Sequence, residues 1–247
     1  MTRRLIVNAD DFGLTPAVSA GILDAHRLGI VTSTTVLVTA DPDREQLRRA
    51  RSAGLGVGLH VNLTLGRPLT AARSLVDEAG RFVRDARRAA FRADPEDVRA
   101  EIVAQVDRFL SLLGGPPTHL DTHHHVGTYS PIREVVLEVA RRLGVPVRSQ
   151  DASARARARS SGLKTTDHFF GESGPAPYWT LATTLRHLRT LPPGVSEFMT
   201  HPGRYDDALG FSRYGRQRET ELVGLGTPVA RAAAAALGIR LCHFGEI

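Results

Sequence analysis

The chain reads as an α/β protein whose parallel sheet forms a barrel or a nearly closed one. Three observations lead there. Short apolar, β-branched runs alternate with longer helix-like stretches along the 247 residues. Near-continuous apolarity over a few residues fits strands buried on both faces, as in a sheet covered by helices. Many helix-like stretches open with a short polar residue followed by proline and close with glycine, the chemistry of helix caps. Seven strand-like runs in 247 residues fit a barrel better than the alternative, an open doubly wound sheet. The turn after the first run, Asn8-Ala9-Asp10-Asp11-Phe12-Gly13, also lacks the glycine-rich dinucleotide fingerprint.

In chain order, Leu5-Ile6-Val7 predicts the first strand, and Thr15-Pro16 starts a helix over 16–28 that closes at Gly29. Thr34 to Val38 gives the next strand, and Asp41-Pro42 caps a helix over 42–53. Gly56 to Leu59 follows as a strand; residues 65–92, with Gly66, Pro68 and Gly80, then read as an insertion or lid. Asp94-Pro95 starts a helix over 95–113, the segment around His119-Leu120 a strand, Ser130-Pro131 a helix over 131–143, and Val145 to Val147 a strand. Residues 149–177 are rich in Ser, Arg, Gly and Pro and read as a second insertion, in which Arg155, Arg157 and Arg159 predict a mobile, solvated loop. A helix over 178–191 and a strand at Glu197-Phe198-Met199 come next. Residues 204–226 show no legible pattern, and Thr227-Pro228 then starts a helix over 228–237 before a last strand from Ile239 to Cys242. One domain over 1–247 accounts for all of this.

Composition removes whole classes. Hydrophobic residues at 42% against 23% charged exclude disorder as the main state. The single cysteine, Cys242, excludes an internal disulfide framework. No apolar run approaches the roughly 18 residues of a membrane span, and aspartates follow the first apolar run too soon for a secretory signal, so a cytoplasmic protein is expected. The net charge of +6 is carried almost wholly by arginines dispersed along helices, Lys164 being the only lysine. No basic stripe is interleaved with aromatics, which argues against a nucleic-acid partner.

Polar residues cluster where the strand-like runs end: Asp10 and Asp11 after Val7, His60 after Leu59, Asp121 and His123 to His125 after Leu120, His201 after Met199. In α/β folds the loops after the strands share one rim, where sites are built. One such histidine would be an ordinary hydrogen-bonded residue; four sequence-distant groups at equivalent positions point to a shared site. Two histidines and a carboxylate with open positions make a common catalytic metal centre, and Asp11, His60 and His123 are the chosen set. Two adjacent buried aspartates repel if both are ionised; a cation on one removes that penalty and leaves the other as a base. The plain alternative is a capped turn after a strand. Strand alternation would put Asp121, His123 and His125 on one side and His124 on the other, so that Asp121 or His125 could orient a ligand. Spacing alone does not decide which of the three histidines binds.

The segments Asn8 to Gly13, Val31 to Thr35, Gly58-Leu59-His60 with Leu63-Thr64 and Gly66 to Leu69, Thr118 to Val126, and His201-Pro202 resemble the YdjC-like carbohydrate deacetylases, over about residues 4–203. The resemblance implies an incomplete or irregular (β/α) barrel of the deacetylase type. It also implies one divalent metal ion (Mg or Zn) on Asp11, His60 and His123, and removal of an acetyl group from an N-acetylated amino sugar or chitooligosaccharide. The family's histidine motif ends in another histidine two residues after His125, where this chain has Gly127.

On that reading Asp10 takes a proton from the attacking water and His201 as imidazolium protonates the departing amine. Arg148 either orients Asp10 or is a surface arginine, and Trp179 with Tyr178 either stacks on a sugar ring or packs the start of the 178–191 helix. The partner is an amino-sugar or oligosaccharide substrate, with no nucleic acid and no membrane; a homodimer stays open. The competing classes are another metal hydrolase on the same barrel, a non-haem Fe(II) oxygenase, and a non-catalytic binding protein on the same fold.

Overall fold

Residues 2–247 are described by the computed structural model. At its centre lies strand β1 (Arg3–Phe12), buried from Leu5 onward. Around it stand β2 (Ser33–Val36), β3 (Gly56–Val61), β4 (Leu120–Thr122), β5 (His168–Phe170) and β6 (Gly194–Thr200), all parallel, in the order β4-β3-β2-β1-β6-β5. β1 pairs with β6 from Arg3↔Gly194 to Ala9↔Thr200 and, along its other edge, with β2 from Asn8↔Ser33. The short β7 (Arg240–Leu241) fills the edge of β1 that β2 leaves bare, at Arg4 and Leu5. The sheet curls into a half-barrel in a single-domain α/β fold, the incomplete barrel expected. The chain exposes 10,918 Å², close to the roughly 10,800 Å² of a folded monomer of this mass.

Nine α-helices occur among the described residues. α1 (Pro16–Leu28) is capped by Thr15, whose side chain accepts from the Val18 amide. α2 (Arg44–Ser52) takes Asp43 as its cap, not the expected Asp41, which sits in a left-handed turn before it. α3 (Ala86–Arg92) stands within the 65–92 stretch, and α4 (Pro95–Leu113) is capped by Asp94. α5 (Ile132–Leu143) has no side-chain cap, so Ser130 does not play the part expected of it. α6 (Ala152–Ser160) overturns the mobile loop: Asp151 caps it, Ala158 is buried, and Arg157 and Arg159 are solvated in its last turn, where cations suit the helix dipole. α7 (Leu181–Arg189) is shorter than expected and capped by Thr180. α8 (Gln217–Leu225) occupies the illegible stretch, and α9 (Pro228–Ala236) follows on a Thr227 cap. Val145 to Val147 gives a single bridge, Leu120↔Val147, rather than a full strand. No helix among the described residues is long and apolar enough to cross a membrane.

Candidate functional site

Parallel strands deliver their following residues to one rim, and the polar groups meet there. Asp10 and Asp11 end β1, His60 lies on β3, Asp121 on β4, His123 just after β4 and His201 just after β6. Asp11, His60 and His123 each offer an atom within 4.8 Å of the others, and all three are buried. His60 Nδ1 lies 2.6 Å from Asp121 Oδ1, which makes Nδ1 the donor to that carboxylate and, when the ring is neutral, leaves Nε2 as a lone pair. Nε2 is 3.3 Å from Asp11 Oδ1 and 3.3 Å from His123 Nδ1, and His123 Nδ1 is 3.1 Å from the same oxygen. Neither ring donates an aligned hydrogen bond to Asp11 Oδ1, which is buried with no partner. Electron-rich atoms aimed at a common point around an orphaned buried oxygen are the donor set of a cation, so the residues fit a divalent ion.

Electrostatics sort the neighbouring groups. Burial opposes ionisation of Asp11, but the Arg218 guanidinium and His123 hold its carboxyl well below the ordinary range. Asp10 is likewise buried and held low by Arg148, which donates to both of its oxygens at 2.7 Å. Asn8 adds a third donor to Asp10 at 2.8 Å. Arg148 also meets Asp121 at 2.8 Å and Glu197 at 2.7 Å, so one buried cation serves three carboxylates. Burial depresses His60, yet Asp121 and Asp11 outweigh it and raise the ring to about 10. A cation at the Asp11 oxygen would take that proton's place. Burial lowers His201 to about 4 despite Asp10 and Asp11, so this ring is neutral near pH 7 rather than the expected imidazolium. Its Nδ1 has no partner.

An open pocket of about 570 Å³ leads to these groups. Asp10, Asp11, His60, His123, His201 and Arg218 form its floor and walls. All three consecutive histidines line it, against the alternation expected of a strand. β4 ends at Thr122, and His124 and His125 both adopt φ 52 in the turn that follows. His124 lies on His123 with ring centroids 3.9 Å apart, and His125 Nδ1 is 3.1 Å from Gln150. Such left-handed pairs are costly for non-glycine residues and cluster at functional sites.

Of the two roles open to Trp179, the structure shows packing. The side chain is fully buried, stacks on Phe198 at 4.3 Å and donates to the Met199 carbonyl at 2.7 Å. It fills the core beside β6 and offers no face to a sugar. Gly127 accepts no side chain as it stands: a Cβ there would come within 2.8 Å of the Thr122 side chain, to whose hydroxyl the Gly127 amide donates. The residue borders a neighbouring cavity, not the pocket of the histidines.

Sequence reasoning missed Arg218. It lies on α8, 2% exposed, with Nη2 2.6 Å from Asp11 Oδ2 and Nε donating to the Tyr214 carbonyl at 2.9 Å. Glu221, one turn on, binds the Tyr214 hydroxyl and accepts the His201 amide at 2.5 Å. Arg218, Glu221 and Leu225 recur at helical spacing and are all buried; two charges in a stripe normally apolar hid the helix.

The match to known proteins is extensive. A family model described as "YdjC-like protein" covers residues 4–236. The chain belongs to the YdjC-like family. A chitooligosaccharide deacetylase of Yersinia pestis (strain Pestoides F) is 36% identical over 258 residues, spanning 99% of this chain and 99% of the relative. A crystal structure from Enterococcus faecalis V583, to which cellobiose-phosphate cleavage has been ascribed, superposes with TM-score 0.88 at 32% identity, over 100% of this chain and 99% of that one. The Xyl-CE4 domain of a xylanase from the hindgut metagenome of Trinervitermes trinervoides shares the fold at TM-score 0.60 and 8% identity, over 100% of this chain and 89% of that one.

Proposed function

We propose that this protein is a metal-dependent carbohydrate N-deacetylase that hydrolyses the acetamide of an N-acetylated amino sugar or chitooligosaccharide. The observation that carries the reading is the orphaned Asp11 Oδ1 facing two imidazole nitrogens at the floor of an open pocket. Membership in a family with a chitooligosaccharide deacetylase at 36% identity supports the substrate class.

Asp11, His60 and His123 would hold one divalent cation, magnesium or zinc. When bound, such an ion polarises the acetamide carbonyl and lowers the pKa of water. The chain's own residues do the rest. Asp121 fixes the His60 tautomer. Asp10, kept ionised and oriented by Arg148, accepts the proton of the attacking water. The two-point grip sacrifices basicity for position, since a carboxylate so stabilised is a weak base whose lone pairs are nonetheless fixed. The departing amine needs the proton that Asp10 gains. His201, neutral and with Nδ1 unpaired on the same pocket wall, relays it. His125 and the His124 ring shape the pocket rim above the ligands.

Glycosidic cleavage fits less well. It asks for one protonated carboxylic acid beside one carboxylate. The pocket's two carboxylates, Asp10 and Asp11, are both held ionised by arginines. The buried acids pushed up to about 7, Glu197 and Glu221, do not line the pocket.

Acetate release from N-acetylglucosamine oligomers tests the proposal. Chelation abolishes it and added divalent metal restores it; activity that survives both chelation and His123→Ala rejects the mechanism.

A further inference from the structure

The two adjacent aspartates are each gripped by a buried arginine, but not alike. Arg148 donates to both oxygens of Asp10. Arg218 donates to Oδ2 of Asp11 alone, and Oδ1 is left without a partner. Asp11 also adopts φ 72, a left-handed conformation that costs a non-glycine residue energy. A carboxylate can bind a divalent ion through one oxygen or through both. A guanidinium cannot lose its proton, and its charge-assisted bond is among the strongest available to a carboxylate. With Arg218 and Asp11 each only 2% exposed, water does not compete for Oδ2.

We infer that Arg218 is a positioning residue that reserves Oδ2 of Asp11, so that Asp11 is a one-oxygen ligand and the coordination position its second oxygen would fill stays open to water or substrate. The inference rests on the metal-site reading above. The two arginines thereby divide the labour of the aspartate pair: the one that saturates Asp10 removes it from the ligand set, and the one that half-saturates Asp11 admits it. α8 is fixed for the task. The Arg218 carbonyl accepts the Gly203 amide at 3.1 Å, and Glu221 accepts the His201 amide, so the helix that supplies the guanidinium also clasps the loop after β6. Sequence alone left 204–226 undecided; this is the role the geometry gives its buried arginine.

The test uses the full chain loaded with Mn²⁺ and measures exchangeable metal-bound waters by water-proton relaxation. Arg218→Met is expected to bind one Mn²⁺ no more weakly than the wild type, to carry one water fewer, and to lose kcat more than it changes KM. Arg218→Gln, which keeps an N–H donor for Oδ2, is expected to keep the wild-type water number. Equal hydration in wild type and Arg218→Met overturns the inference, as does a water lost equally in both variants. Should Arg218→Met fail to fold, a Mn²⁺-loaded crystal of the wild type decides. Asp11 bound through Oδ1 with Oδ2 still on Arg218 supports the inference; Asp11 bound through both oxygens defeats it. A wild type that takes up no Mn²⁺ overturns the metal reading and this inference together, whereas equal hydration with metal bound sinks the inference alone.

Discussion

Replacing Arg148 by methionine isolates what one buried cation does for this fold. Its guanidinium is 1% exposed and holds Asp10 through two bonds of 2.7 Å, Asp121 at 2.8 Å and Glu197 at 2.7 Å. Methionine fills much of the volume but leaves those acids without the guanidinium, with His60 still beside Asp121. Breaking a buried pair by removing one partner costs about 3–5 kcal/mol. For a chain of this size each kcal/mol lowers Tm by roughly 2–4 °C, so a fall of roughly 6–20 °C is expected at pH 7. The pH dependence carries the sign. In the wild type Asp10 and Asp121 have folded pKa values below their unfolded ones, so they add stability above about pH 3.8 that is lost as pH falls. In the variant the largest charge holding both acids down is gone and His60 is the chief group still opposing burial, so both pKa values rise and the acids cost least once protonated. The gap between wild type and variant is therefore widest near neutrality and narrows toward pH 4. Arg148→Lys, which keeps the charge but not the two-point grip, falls between. Calorimetry with urea titration at several pH values reads this directly. A Tm change under about 2 °C at pH 7, or a gap that does not move with pH, refutes the reasoning.

Other outcomes follow from the same geometry. Asp10→Asn keeps its metal, measured by elemental analysis, while the rate falls at least about 10²-fold, the usual scale of a general base; loss of metal in step with activity would make Asp10 a ligand instead. His119 is buried against Phe244 with Nε2 unpaired, and burial lowers it to about 3. Because the unfolded ring gains its proton near 6.5 and the folded one does not, wild-type stability relative to His119→Gln declines by up to about 1.4 kcal/mol per pH unit from 6.5 down toward 3; parallel urea stabilities over that window contradict it. The single tryptophan, Trp179, fluoresces from the core, so chitooligosaccharide leaves its emission and acrylamide quenching unchanged; a substrate-dependent shift would restore it to the sugar site.

Much of the fold was legible because local rules and tertiary packing agree. Thr15, Asp94 and Thr227 cap helices that start where the Pro-containing signal put them. The signal misled at Asp41 and Ser130, where a left-handed turn and an uncapped start show that a polar residue before proline is also good turn chemistry. β5 and α6 were hidden because three half-buried strand residues and a helix with one buried side chain leave almost no hydrophobic period. At the site, strand-end placement was enough to bring Asp10, Asp11, His60, Asp121, His123 and His201 to one rim. It could not orient His124, because the strand stops at Thr122 and two left-handed residues follow. Nor could it find Arg218, whose partner lies 207 residues away and whose helix buries charge where the pattern expects apolar side chains. The two readings of Trp179, packed or sugar-facing, stayed open for a simpler reason: an aromatic before a helix looks the same in sequence whether it packs inward or out.

The central claim is that one cation sits between Asp11, His60 and His123. The most direct measurement is anomalous scattering from crystals grown with Zn²⁺ or Mn²⁺. The account predicts a single strong peak within coordination distance, about 2.0–2.2 Å for zinc, of Asp11 Oδ1, His60 Nε2 and His123 Nδ1, absent from His123→Ala crystals. A peak held by other side chains, or none at this site at saturating metal, contradicts it.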